Sequence, residues 1–148
     1  MFRNILIPTD GSELATLAVD AGIAFAKEVN ARVTVFTVVE PFHLFFSADI
    51  EQLSSTREEY EAISRQHAAE RLAVAQAKAE GAGVTCDTDQ VRTHDVYRAI
   101  VTKAQDIDAD LIIMASHGRG GVGALILGSV AAKVLTHSAI PVLIYRKK

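Results

Sequence analysis

Apolar positions in this chain fall into two patterns. Some form short, nearly unbroken runs: Ile5-Leu6-Ile7 closed by Pro8, Val33 to Val39 ended by Glu40-Pro41, Leu111 to Ala115, and Val142 to Tyr145. Such runs, rich in β-branched residues, predict buried strands. A further run, Val84 to Val91, alternates apolar and polar residues, as a strand does when one face meets water at a sheet edge. Between the runs the apolar residues return at helical intervals. Leu14, Ala18, Ala21 and Phe25 predict a helix to about Val29, with Ser12 or Asp10 as its cap and Asn30 as its stop. Ala68, Leu72, Ala75 and Ala79 form the stripe of a long helix from about Thr56 to Glu80, ended by Gly81-Ala82-Gly83. Val96, Ile100, Ala104 and Ile107 mark a third helix beginning near Thr93-His94-Asp95. Leu127, Val130, Ala131 and Val134 mark a fourth, opening at Gly128-Ser129.

Two stretches fit less simply. Phe42 to Ser55 has no clear period, with Phe42, Leu44, Phe45 and Phe46 crowded together. It reads as an irregular segment packed under the second helix, or as a lid over a ligand. On the second helix, Glu58, Glu59, Glu61, Arg65, Glu70, Arg71 and Lys78 read mostly as solvated face, with Glu61 and Arg65 spaced for an i,i+4 pair.

Five strands alternating with four helices predict an α/β fold, a doubly wound parallel sheet with helices on both faces. The all-apolar strands belong inside such a sheet. The polar third strand belongs at an edge, and right-handed crossovers then favour strand order 3-2-1-4-5. The order reverses between strands 1 and 4, and ligands bind at the carboxyl ends of strands at such a reversal. Those ends carry Pro8-Thr9-Asp10-Gly11 and Ala115-Ser116-His117-Gly118. Two turns far apart in sequence are therefore expected to meet at one crevice.

A length of 148 residues suits one domain, residues 1–148, with a sizeable core. Hydrophobic residues make up 49% and charged residues 22%, which sets the chain apart from disordered sequences. The net charge of −3 and the scattered basic residues argue against nucleic acid or an anionic membrane as partner. No apolar run approaches the roughly 20 residues of a membrane helix. The N-terminal residues lack a signal-peptide layout. With one cysteine, Cys86, an internal disulfide is excluded and a cytoplasmic location is expected. Cys86 has no adjacent basic residue and reads as a structural thiol. His43, His67, His94 and His137 show no metal-like mutual spacing.

The chemistry concentrates in Asp110 to Val130, where a strand runs into a glycine-rich loop and then a helix start. Glycine admits close backbone approach. A helix N-terminus adds unpaired donors and the positive end of a dipole, so the arrangement suits an anion such as phosphate. The spacing is neither that of a dinucleotide fingerprint nor that of a P-loop. It resembles the signature of the ATP-binding branch of the universal stress protein family: glycine, two residues, glycine, nine residues, then glycine and Ser or Thr. Gly118, the nine residues Arg119 to Leu127, and Gly128-Ser129 match it; Ala115 stands in place of the first glycine.

The resemblance spans the whole chain and implies the same fold and strand order. It also implies that ATP or AMP sits in the crevice, with adenine near Pro8, Thr9, Asp10 and Val38. Ribose and phosphates would lie against Ala115, Ser116, His117, Gly118, Arg119, Gly128, Ser129 and Val130. Mg²⁺, if present, would be held through phosphates and water. Read from its position alone, Asp10 serves equally as a helix cap, and the glycines serve equally as turn residues. Gly120, Gly121 and Gly123 read as flexibility. The resemblance further implies a homodimer through Val142-Tyr145, a strand that would otherwise leave an apolar edge uncovered. The expected function is a nucleotide-binding stress-response module. The alternatives are a dimeric interaction module that no longer binds nucleotide and a slow ATPase. The absence of a P-loop lysine and of a clear acidic pair weighs against the ATPase.

Overall fold

The computed structural model describes residues 1–41, 50–118 and 127–147, and for 50–55 only the backbone. The elements run β1 (Asn4–Pro8), α1 (Glu13–Val29), β2 (Arg32–Val39), α2 (Ile50–Gly81), β3 (Cys86–Arg92), α3 (Val96–Asp106), β4 (Leu111–Ala115), α4 (Ser129–His137) and β5 (Val142–Tyr145). The strands form one sheet in the order β3-β2-β1-β4-β5, and every pair is parallel.

The central strands are buried on both faces. Ile5, Leu6, Ile7, Val33, Val35, Ile112 and Ile113 are almost wholly removed from water. Odd-numbered Ile5, Ile7, Val33, Val35 and Ile113 face one layer with α1 and α2. Leu6, Phe36, Ile112 and Met114 face the other, with α3 and α4. This two-sided burial is why these strands lack polar alternation. β3 lies at the edge, and its residues alternate between sheltered and exposed for much of its length.

Three expectations need correction. The buried stripe of α1 is Leu14, Ala15, Ala18, Val19, Gly22, Ile23 and Ala26, rotated from the Leu14-Ala18-Ala21-Phe25 line. Leu14 and Ala18 of that line are buried as expected, and Gly22 lies within the stripe. A Cβ there would sit 2.6 Å from Ile7 Cδ1, so the helix beds down on the sheet along the glycine. Phe25 is left to the side, against Phe2 at a ring separation of 6.2 Å. Second, α2 begins at Ile50, so the segment read as irregular to Ser55 is helical from Ile50 onward; Phe42–Phe46 lies outside the described residues. Third, Glu61 pairs with Arg57 at 3.4 Å and with Arg92 at the end of β3 at 3.2 Å, in place of Arg65. Arg92 also donates to the Glu61 carbonyl, and Gln90 to the Arg65 carbonyl. The edge strand thus ties down the middle of α2.

Candidate crevice at the strand reversal

Neighbouring β1 and β4 feed α1 and α4 on opposite faces of the sheet, and their carboxyl ends open into a crevice of about 700 Å³. The first turn is held by its own backbone and its short side chains. The Thr9 N–H donates to the Phe36 carbonyl at 2.8 Å, and the buried Thr37 hydroxyl donates to the Thr9 carbonyl. The Thr9 hydroxyl accepts from the Gly11 N–H at 3.2 Å. Asp10 Oδ1 accepts from the Ser12 N–H at 2.9 Å, while Ser12 Oγ caps α1 through the Ala15 N–H at 3.2 Å. Of the two cap candidates read from the sequence, Ser12 is the cap, and Asp10 instead holds the turn that leads into it. Gly11 has φ +79°, a conformation that glycine adopts without a Cβ penalty.

The second turn is built against the first. A Cβ on Gly118 would lie 2.2 Å from Asp10 Oδ2. Gly118 is not in the left-handed region, so glycine is required here by proximity. The Ser116 N–H donates to the Tyr145 carbonyl at 2.9 Å, and the Ser116 carbonyl accepts from the Gly128 N–H at 2.7 Å. A Cβ on Gly128 would stand 3.0 Å from His117 Cα. Gly118 thus packs against the Asp10 side chain and Gly128 against the Ser116–His117 turn, which joins the ends of β1 and β4 to the start of α4.

The two helix starts differ. α1 has a serine cap, whereas Gly128 caps α4 and has no side chain to offer. The first-turn donors of α4 therefore remain suited to an anion.

Pro8, Thr9, Asp10, Val38, Ala115, His117, Gly118, Gly128, Ser129 and Val130 all line the crevice. Ser116 does not. It is 2% exposed and lies behind the wall as a strut between β5 and α4. His117 Nδ1 donates to the Gly118 carbonyl at 3.2 Å. Arg119, Gly120, Gly121 and Gly123 lie outside the described residues. Ala115 takes part in β4 with an ordinary strand φ. It lines the crevice, and its methyl packs with Leu14, Ala15 and Ala18 of α1.

One wall was missed from sequence. Tyr60, Ser64, His67 and Arg71, spaced four, three and four residues apart on α2, also line the crevice. By sequence spacing Arg71 belongs with the mostly solvated charges of this helix. In the structure it is half-buried, and a Cβ on Gly11 would be 2.2 Å from its Nε. A signal was present. The apolar stripe Ala79-Ala75-Leu72-Ala68 turns polar at Ser64 while the helix continues. An inward face that becomes polar before the helix ends is a face turned toward something other than core.

A family model for the universal stress protein family matches residues 1–146. A universal stress protein of Methanocaldococcus jannaschii is 32% identical over 149 aligned positions, covering 99% of this chain and 84% of that protein. The solved structure of the hypothetical protein MJ0577 superposes with a TM-score of 0.83 at 28% identity, covering 100% of this chain and 98% of the other. A universal stress protein solved in complex with cAMP superposes with a TM-score of 0.71 at 24% identity, covering 99% of each. The chain belongs to the universal stress protein family.

Proposed function

We propose that this protein is a cytoplasmic regulatory module that binds ATP or AMP in the crevice between β1 and β4. The observation that carries the reading is the convergence of the Pro8–Gly11 turn, Val38, Gly118 and the glycine-capped start of α4 on one cavity. Asp10 has an acceptor oxygen for a ribose hydroxyl or the adenine amine. Pro8 and Val38 give an apolar wall for the base. The open first turn of α4, with the Ser129 hydroxyl, suits phosphate. A universal stress protein that shares this fold has been solved in complex with cAMP, an adenine nucleotide. Among the described residues no three His, Cys, Asp or Glu side chains gather as a metal site. A magnesium ion accompanying ATP would therefore be coordinated through phosphate oxygens and water.

Ligand released from freshly purified protein and identified by mass spectrometry tests the reading directly. Added ATP with Mg²⁺ should also stabilise the fold by about 2.7 kcal/mol at a hundredfold excess over Kd. An unchanged melting temperature at millimolar ATP would remove the nucleotide reading. Ala115, at the signature's first glycine, favours one alternative: a dimeric interaction module without nucleotide, which would purify empty and ignore ATP.

A further inference from the structure

The 32 residues of α2 span about 48 Å, whereas β2, with 8 residues, spans about 26 Å. The helix therefore overruns the sheet. Its carboxyl-terminal half covers the core through Ala68, Leu72, Ala75 and Ala79. The preceding turns stand beside the crevice, fixed by the Arg92–Glu61 pair and by Gln90 on the Arg65 carbonyl. At the junction of these two halves is Arg71.

The guanidinium lies against the Gly11 backbone. Gly11 follows Asp10, Asp10 touches Gly118, and the adjoining His117 touches Gly128. Arg71 and the start of α4 flank the same cavity. Among its described lining residues, Asp10 and Glu40 are acidic, His67 and His117 are titratable, and Arg71 alone carries a fixed positive charge. A nucleotide polyphosphate entering beside two carboxylates needs a cation to offset the repulsion, and an arginine fork matches phosphate oxygens in pairs.

We propose that Arg71 reads the phosphate charge of the bound nucleotide, so that this crevice ranks adenine ligands by the number of phosphates they carry. The proposal rests on the nucleotide reading above. It assigns to α2 a binding role in addition to its packing role.

The test is calorimetry of the full-length protein with ATP, ADP, AMP and adenosine at fixed Mg²⁺ and ionic strength. Wild type, Arg71→Gln and Arg71→Lys are compared, with melting curves as folding controls. Arg71→Gln should weaken ATP tenfold or more, AMP less, and adenosine by under twofold; Arg71→Lys should recover part of the ATP loss. Equal weakening of all four ligands would mean that Arg71 only props the Gly11 turn, and would overturn the proposal, as would no weakening of any. If wild type binds none of the four, the nucleotide reading itself fails and this proposal with it. If wild type binds them and the ATP-to-adenosine ratio survives in Arg71→Gln, only this proposal fails. Should Arg71→Gln not fold, phenylglyoxal labelling of the wild-type protein, mapped by peptide mass spectrometry, decides. ATP should protect Arg71 and adenosine should not; equal labelling with and without ATP overturns the proposal.

Discussion

The contact between Gly118 and Asp10 makes the join of the two crevice turns measurable. In Gly118→Ala the new methyl carbon would begin 2.2 Å from Asp10 Oδ2 and 3.3 Å from Cγ. Real Cβ atoms do not tolerate such a distance, so the carboxylate must move. Oδ1 of the same group holds the Ser12 N–H at 2.9 Å, at the entrance to α1. Displacing it forfeits a hydrogen bond to a charged group, worth about 1.5–3 kcal/mol. A loss of about 2 kcal/mol corresponds to roughly 4–8 °C in Tm for a chain of this size. Asp10→Ala removes the same bond and should likewise cost about 1.5–3 kcal/mol. In the double variant no carboxylate remains to collide with, so its cost should be well below the sum, with a coupling of about 1–2 kcal/mol. Urea unfolding of all four proteins gives the cycle. Strictly additive costs, or a Gly118→Ala variant within about 0.5 kcal/mol of wild type, would show that the turns do not pack as described.

Two further outcomes follow from single residues. β5 lies at the sheet edge beside β4 and pairs with no other strand among the described residues, with Leu143 40% exposed. We propose antiparallel pairing of β5 with its copy across a two-fold axis, a self-limiting contact. The wild type should then sediment as a dimer, and Ile144→Pro, lacking a backbone donor, as monomer or insoluble protein; a monomeric wild type at micromolar concentration would refute this. Burial, with the charge of Asp87 beside it, pushes the Cys86 thiol above its ordinary value. The fold therefore favours the neutral thiol. That stabilisation is complete below the unfolded value of about 8.5 and is lost as pH rises through the folded value. Cys86→Ala should flatten the stability profile in that alkaline window, and a wild-type decline unaltered in the variant would exclude the thiol as its source.

The sheet was legible because two-sided burial leaves only apolar residues on β1, β2 and β4, and because β3 retains polar alternation at the edge. Both crevice turns were legible for a topological reason: the strand order alone brings Pro8 and Ala115 side by side. What escaped was anything decided by which elements approach one another. Gly22 admits Ile7 beneath α1, a close approach invisible in the spacing of larger apolar residues. Glu61 has a plausible i,i+4 partner in sequence but meets Arg92 from another element. Ser116 sits in the signature but is drawn into the wall by Tyr145 and Gly128. Arg71 looks like any exposed helix charge until α2 is seen to outrun the sheet.

Ala115 is where sequence and structure bear jointly on one residue. The signature that this stretch resembles carries glycine at this position, and glycine there would serve either a positive φ or room for a ligand. Ala115 has an ordinary strand φ and pairs with Tyr145, so the backbone does not demand glycine. The remaining issue is space. The methyl group stands at the corner between the crevice and the first turns of α1, packed with Leu14, Ala15 and Ala18. Ala115→Gly should cost about 0.5–1 kcal/mol in stability, the penalty of glycine within a strand. It should tighten ATP modestly, by less than about tenfold or 1.4 kcal/mol. In Ala115→Val two further carbons must enter either α1 or the crevice. Overpacking against α1 would cost about 1–3 kcal/mol, and entry into the crevice would appear as a large loss of ATP affinity. Unfolding and calorimetry on the same preparations separate the two directions. A less stable valine variant with intact affinity places the branch against α1. A stable variant with weakened affinity places it in the crevice. If the glycine and valine variants match in both stability and ATP affinity, this position touches neither helix nor nucleotide, and the crevice has been assigned to the wrong end of β4.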